Sequence, residues 1–156
     1  MTLHAIIAVL VHIALAGVGA WLLIIDARTH RLPNRIVLPT LGALLVLVGV
    51  EALIAGDAAR LVRALLGMLL LAGFYAVMRL ASRQGIGGGD VKLAAVIGLV
   101  LGWHGWQTLA IGAASAFVLG ALYALVLMAL RRADRSTRIA FGPWMIIGAV
   151  LGIAVG

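Results

Sequence analysis

The stretch GIGGGDVKLAAVIGLVLG, Gly85–Gly102, decides how this chain is read. A run of glycines leads into one carboxylate, Asp90. The apolar run Val91–Gly102 follows, interrupted only by Lys92. A second carboxylate occupies a comparable position. Asp26 closes the first apolar run and begins the polar segment DARTHRLPN, Asp26–Asn34. Charge at membrane depth is costly, so such residues tend to face a bundle interior or water and mark function. Two of them in one small membrane chain suggest a pair that shares one reaction. A chemistry that needs two carboxylates and nothing else is aspartyl proteolysis.

Composition supports the membrane reading. Of 156 residues, 65% are hydrophobic, and the mean hydropathy is +1.22. A soluble domain is about half apolar, and a core of this size could not absorb the excess. The net charge of +7 does not point to nucleic acid, because the charges sit in short clusters between apolar runs, as topology signals do. The absence of cysteine removes disulfides, thiol nucleophiles and cysteine metal sites. His4, His12, His30 and His104 are too scattered for a zinc site. No metal and no cofactor is therefore expected. The first apolar run carries its basic residues after it rather than before it, so it reads as a retained helix and not a cleavable signal.

About six spans of near-membrane length are predicted. They are Leu3–Ile25, Ile36–Ala55, Leu61–Ala81, Val91–Trp103, Trp106–Leu130 and Ile139–Val155. The expected fold is an all-α membrane protein, a single transmembrane domain over residues 1–156. The fourth and sixth spans are short, and they carry the GxxxG pairs Gly98–Gly102, Gly148–Gly152 and Gly152–Gly156. Small residues at that spacing let helix backbones approach in lipid, so these two spans are expected at the centre of the bundle. Ten basic residues fall on one side: Arg28, Arg31, Arg35, Arg79, Arg83, Lys92, Arg131, Arg132, Arg135 and Arg138. Only Arg60 and Arg63 fall on the other. The positive-inside rule then places both termini outside (N-out/C-out) and both aspartates on the cytoplasmic side. With Trp103 and Trp106 at the outer interface, the 13 residues back to Asp90 span roughly 20 Å. In a hydrocarbon layer of about 30 Å, Asp90 then lies roughly 10 Å below the cytoplasmic boundary.

Each motif also has an ordinary reading. Asp90 can be a helix N-cap with glycines supplying the turn, or the glycines can admit a substrate backbone. Asp26 can be a polar stop at the membrane surface beside Arg28 or Arg31. Leu32-Pro33-Asn34 reads as an extended turn. Lys92, two residues after Asp90, points to a different helix face. Phe141-Gly142-Pro143-Trp144 is expected to bend the start of the last span or to place Pro143 in its first turn. Asp134 lies among arginines and reads as solvated.

Three segments together resemble the type IV prepilin peptidases, bacterial members of the GxGD intramembrane aspartyl proteases. Asp26 with ARTHRLPN is similar to the family's first-aspartate segment. Gly87-Gly88-Gly89-Asp90-Val91-Lys92-Leu93 is similar to its GxGDxKL segment, and Phe141-Gly142-Pro143 to its FGP element. The resemblance implies that Asp26 and Asp90 are the catalytic pair. It implies a prepilin or pseudopilin precursor as substrate, its leader cut at the cytoplasmic face of the bacterial inner membrane. Gly87, Gly88, Gly89, Lys92, Pro33, Asn34, Gly142 and Pro143 would bind substrate or shape the loops. The expected partners are that precursor and the lipid bilayer, with no nucleic acid.

Two departures from the family pattern stand out. Many members carry a cysteine-rich insert associated with methylating the new N-terminus, and this cysteine-free chain is expected to be a peptidase only. Ala140 stands where many members have proline before FGP.

Two nearby carboxyls cannot both ionise cheaply, so they share a proton and supply one base and one acid. The alternative is a small proton-coupled transporter or channel component with the aspartates as proton carriers. A membrane scaffold with capping aspartates is a third reading.

Overall fold

The computed structural model describes residues 34–81, 87–131 and 141–156. The expectations for Leu3–Ile25, Asp26, Pro33 and Asp134 lie outside these residues. Five helices occupy the described chain: α1 (Asn34–Ala55), α2 (Ala58–Ala81), α3 (Gly88–His104), α4 (Trp106–Ala129) and α5 (Gly142–Val155). By length and composition, α1, α2 and α4 are long and apolar enough to cross a membrane. The two expected short spans are α3, with 17 residues, and α5, with 14.

Three helix starts differ from expectation by about a turn, and each has a local cause. α2 starts at Ala58, not Leu61, where the Asp57 carboxylate accepts the Arg60 N–H at 2.9 Å. α3 starts at Gly88, a turn before Val91, and Asp90 lies inside its first turn instead of capping it. The N-cap is Gly87, with extended backbone (φ −73, ψ 154). Glycine does not oppose a first helical turn that a side chain closes. α5 starts at Gly142, not Ile139, with Pro143 in its first turn. Proline lacks the N–H that would be orphaned there and has a helical φ already set.

Glycines set the helix contacts. α2 and α3 run antiparallel with Gly67 against Gly98 and Ala64 against Gly102. A Cβ on Gly98 would sit 2.9 Å from both Gly67 C and Met68 Cα, and one on Gly102 would sit 2.8 Å from Arg63 O. α4 and α5 meet in the same way. A Cβ on Gly148 would sit 2.7 Å from Ala116 N, and one on Gly152 would sit 2.8 Å from Gly112 Cα. In lipid there is little hydrophobic drive between helices, so such close backbone packing has to hold them together. The GxxxG pairs thus mark real contacts. α3 is central as expected and packs on all four other helices, with Leu99 and Leu101 fully buried. α5 is not central. It lies along α4 and touches α3, and its other side exposes Val150 and Val155.

The tight turn at Gly56, which needs its positive φ of 66, hands α1 to α2. A buried stripe of Val37, Leu44, Val48 and Ala52 runs along α1. The helix ends therefore sort into two groups. One end of the bundle holds the starts of α1, α3 and α5 and the ends of α2 and α4. Arg35, Arg79, Lys92 and Arg131 lie at this end. Arg60 and Arg63 lie at the other, where both are used structurally. Arg63 donates through Nε to Gly102 O (2.8 Å) and through a terminal nitrogen to Trp103 O (3.0 Å). Arg60 lies over the Trp103 ring, 5.2 Å from its centroid.

The two Arg63 bonds satisfy carbonyls that the end of α3 would otherwise leave orphaned. Arg63→Ala should lower stability by about 2 kcal/mol, in the range for hydrogen bonds from a charged donor. Thermal melting in detergent reads this, and Arg63→Lys should recover part of the loss. An unchanged melt would mean that the clamp contributes nothing.

Candidate active site

The first turn of α3 is built around Asp90. Its carboxylate folds back so that Oδ2 accepts the Gly87 N–H (3.0 Å), while its own N–H donates to Gly87 O (3.2 Å). This reciprocal pair closes the helix start, and the positive end of the helix favours a carboxylate there. Asp90 thus closes the turn from inside the helix, with Gly87 as the N-cap; it is half-buried and held in one orientation. Gly88 is the point of close approach. A Cβ there would run into the Arg79 guanidinium, with Cζ at 3.1 Å. The glycine thus lets the end of α2 close over the start of α3. Lys92 is half-buried on the same turn.

The FGP element reaches the same end from α5. Phe141 O accepts the N–H groups of Trp144 and Met145 (both 3.1 Å), which starts the helix. The Phe141 ring packs on Gly120, where a Cβ would lie 2.7 Å from Cε2. It also joins an aromatic cluster, 5.1 Å from Phe117 and 5.9 Å from Tyr75 between centroids. Gly142 is buried and Pro143 half-buried. Tyr75 links the two motifs: its ring meets Phe141, and the Gly67–Gly98 contact puts it at the level of Asp90 along the paired helices.

The structure thus brings together Gly87, Gly88, Gly89, Asp90, Phe141, Gly142 and Pro143, and Asn34 begins α1. Two neighbours escaped sequence reasoning. Tyr75 sits in an apolar run and reads as packing. Arg79 counts equally well as a topology charge. The available signal was their spacing of four, which puts both on one face of α2.

The described chain is a helical bundle packed through glycines, with a carboxylate in the first turn of its central helix. The model of the type IV leader peptidase family matches residues 13–129, and the chain belongs to that family. It is similar to the prepilin leader peptidase/N-methyltransferase of Escherichia coli (strain K12), with 37% identity over 83% of this chain and 56% of that protein. The protein of the same name from Dickeya chrysanthemi is 33% identical over 89% of this chain and 48% of its own length. That of Pectobacterium carotovorum subsp. carotovorum is 36% identical over 85% and 46%. The chain spans about half the length of the curated relatives it matches. No solved structure matches it.

Proposed function

We propose that this protein is a membrane-embedded aspartic endopeptidase that removes the leader peptide of type IV prepilins or pseudopilins. Family membership carries the reading, and relatives bearing the prepilin leader peptidase name support it. The geometry adds a carboxylate, Asp90, held by a backbone N–H at a glycine-opened helix start. Asp26 is proposed as its partner in the pair. Hydrolysis needs a base to activate water and an acid to protonate the leaving amine, and two carboxyls sharing a proton supply both. Gly87 and Gly89 admit an extended peptide, Gly88 takes the Arg79 guanidinium against the turn, and Gly142 and Pro143 shape the facing wall. Residues 1–156 act as one transmembrane domain in the bacterial inner membrane. The direct test is co-expression with a candidate prepilin, reading loss of its leader as a mobility shift.

The proposed orientation has six spans, both termini outside, and Asp90 toward the cytoplasm. Its support is the grouping of Arg35, Arg79, Lys92 and Arg131 at one end of the bundle, since basic residues stay on the cytoplasmic side. A reporter active only in the cytoplasm should be silent when fused after Gly156 and active when inserted between Arg131 and Arg138. The reverse pattern would put Asp90 on the outer face and end the proposed cleavage site.

A further inference from the structure

We propose that Tyr75 is a positioning residue for Asp90: its hydroxyl hydrogen-bonds to the Asp90 carboxylate through one bridging water. The inference rests on the peptidase reading and deepens it.

Helix register places the two groups at one level. α2 and α3 are antiparallel, with Gly67 against Gly98. Eight residues along α2 from Gly67 is Tyr75, and eight residues back along α3 from Gly98 is Asp90. The Arg79–Gly88 contact one turn further on holds the same register. Residues eight apart lie near one face of a helix, so Tyr75 lies on the face of α2 that carries Gly67 against α3.

The ring has little freedom. Phe74, Phe117 and Phe141 surround it at centroid distances of 5.9, 5.6 and 5.9 Å. Tyr75 is 1% exposed, yet its hydroxyl makes no hydrogen bond to a described residue. A buried phenol O–H left without a partner is costly, and buried tyrosines nearly always find one. The Asp90 carboxylate is the nearby acceptor of the right chemistry. A carboxylate accepts about four hydrogen bonds at once, so one from a water held by the phenol adds to the others that Asp90 takes, the Gly87 N–H among them. Polar groups that stand further apart than a direct bond are commonly joined by a water. Among the described residues, the charged groups at this end are Arg35 on α1, Arg79 on α2, Asp90 and Lys92 on α3, and Arg131 just after α4. α4 and α5 carry no charged residue, and Tyr123 is the titratable one on α4.

The test compares wild type, Tyr75→Phe, Phe117→Leu and Asp90→Asn on a prepilin substrate across pH. Tyr75→Phe keeps the ring and removes only the hydroxyl. Its kcat should fall roughly 10- to 100-fold, the usual weight of one hydrogen bond to a charged group, with little change in KM. The donor favours the ionised carboxylate, so its loss should move the acid limb of the pH–rate profile upward by about one unit. Phe117→Leu disturbs the same cluster and should lower the melting temperature while leaving the limb in place.

Should Tyr75→Phe fail to accumulate, 3-fluorotyrosine incorporated in a Tyr123→Phe background gives a stronger donor and should move the limb down. A wild-type rate with an unmoved limb overturns the inference. So does a lost rate with an unmoved limb, which is a structural defect, or an unmoved limb with fluorotyrosine. Failure of the peptidase reading looks different: wild type leaves the prepilin uncut, or Asp90→Asn cuts it normally.

Discussion

We expect Asp90→Asn and Asp26→Asn each to abolish the proposed leader cleavage, by about 10³-fold or more, while the protein still accumulates in the membrane. The expectation follows from what Asn keeps and what it loses. It keeps the size of Asp, and its side-chain oxygen can still accept the Gly87 N–H that Asp90 Oδ2 takes at 3.0 Å. The first turn of α3 therefore still closes, at the loss of only the charge interaction with the helix end, about 0.3–1 kcal/mol. Asn cannot take up or release the proton that a shared pair must exchange. The substitution separates a carboxylate that holds a turn from one that also does chemistry. Asp57→Asn is the matched control. Asp57 accepts the Arg60 N–H at 2.9 Å and pairs with the Arg60 guanidinium, a structural role at the far end of the bundle, so cleavage should persist. The measurement is the mobility of co-expressed prepilin, with each variant's level checked. Normal cleavage by Asp90→Asn would reduce the GGGD segment to a turn and a cap.

Gly98→Leu separates α2 from α3, with a cost of about 3 kcal/mol or more. The first atom of any side chain at Gly98 meets backbone, not a movable side chain: Gly67 C and Met68 Cα would each lie 2.9 Å from it. One helix must then shift away from the other. Even alanine is crowded here, and leucine adds three more carbons. The displacement carries to the site, since Asp90 lies on the same helix and the Arg79–Gly88 contact depends on the same register. Both melting temperature in detergent and cleavage should fall. Gly49→Leu is the comparison. No atom of a described residue lies within 4 Å of a Cβ at Gly49 on α1, so the change should be neutral within about 0.5 kcal/mol. Equal melts for the two variants would mean that α2 and α3 do not pack through Gly67 and Gly98.

The sequence was most informative where one local rule acted alone. Four of the expected spans begin and end within a few residues of α1 to α4, because the runs are apolar enough to define themselves. Their limits moved where a local device intervened. Asp90 folded back on Gly87 and drew α3 one turn earlier, and Pro143 set the start of α5. The glycine pairs told which helix faces would be close-packed but not against what. Gly67, Gly112 and Ala116 are the surfaces they meet, and on their own helices they look like any other small residue.

Sequence alone determined that this chain is a helical membrane protein, that Asp90 opens a short glycine-bearing helix, and which family the motifs resemble. Those properties rest on composition, on periodicity along the chain and on residues adjacent in it. The tertiary structure alone decided that the FGP element and the GGGD turn meet around Tyr75, that Arg79 closes over Gly88, and that Arg63 clamps the far end of α3. Each of these depends on the register between antiparallel helices. That register is set by which glycine backbones nest against each other across the bundle, and a contact between helices leaves no periodic trace in either one.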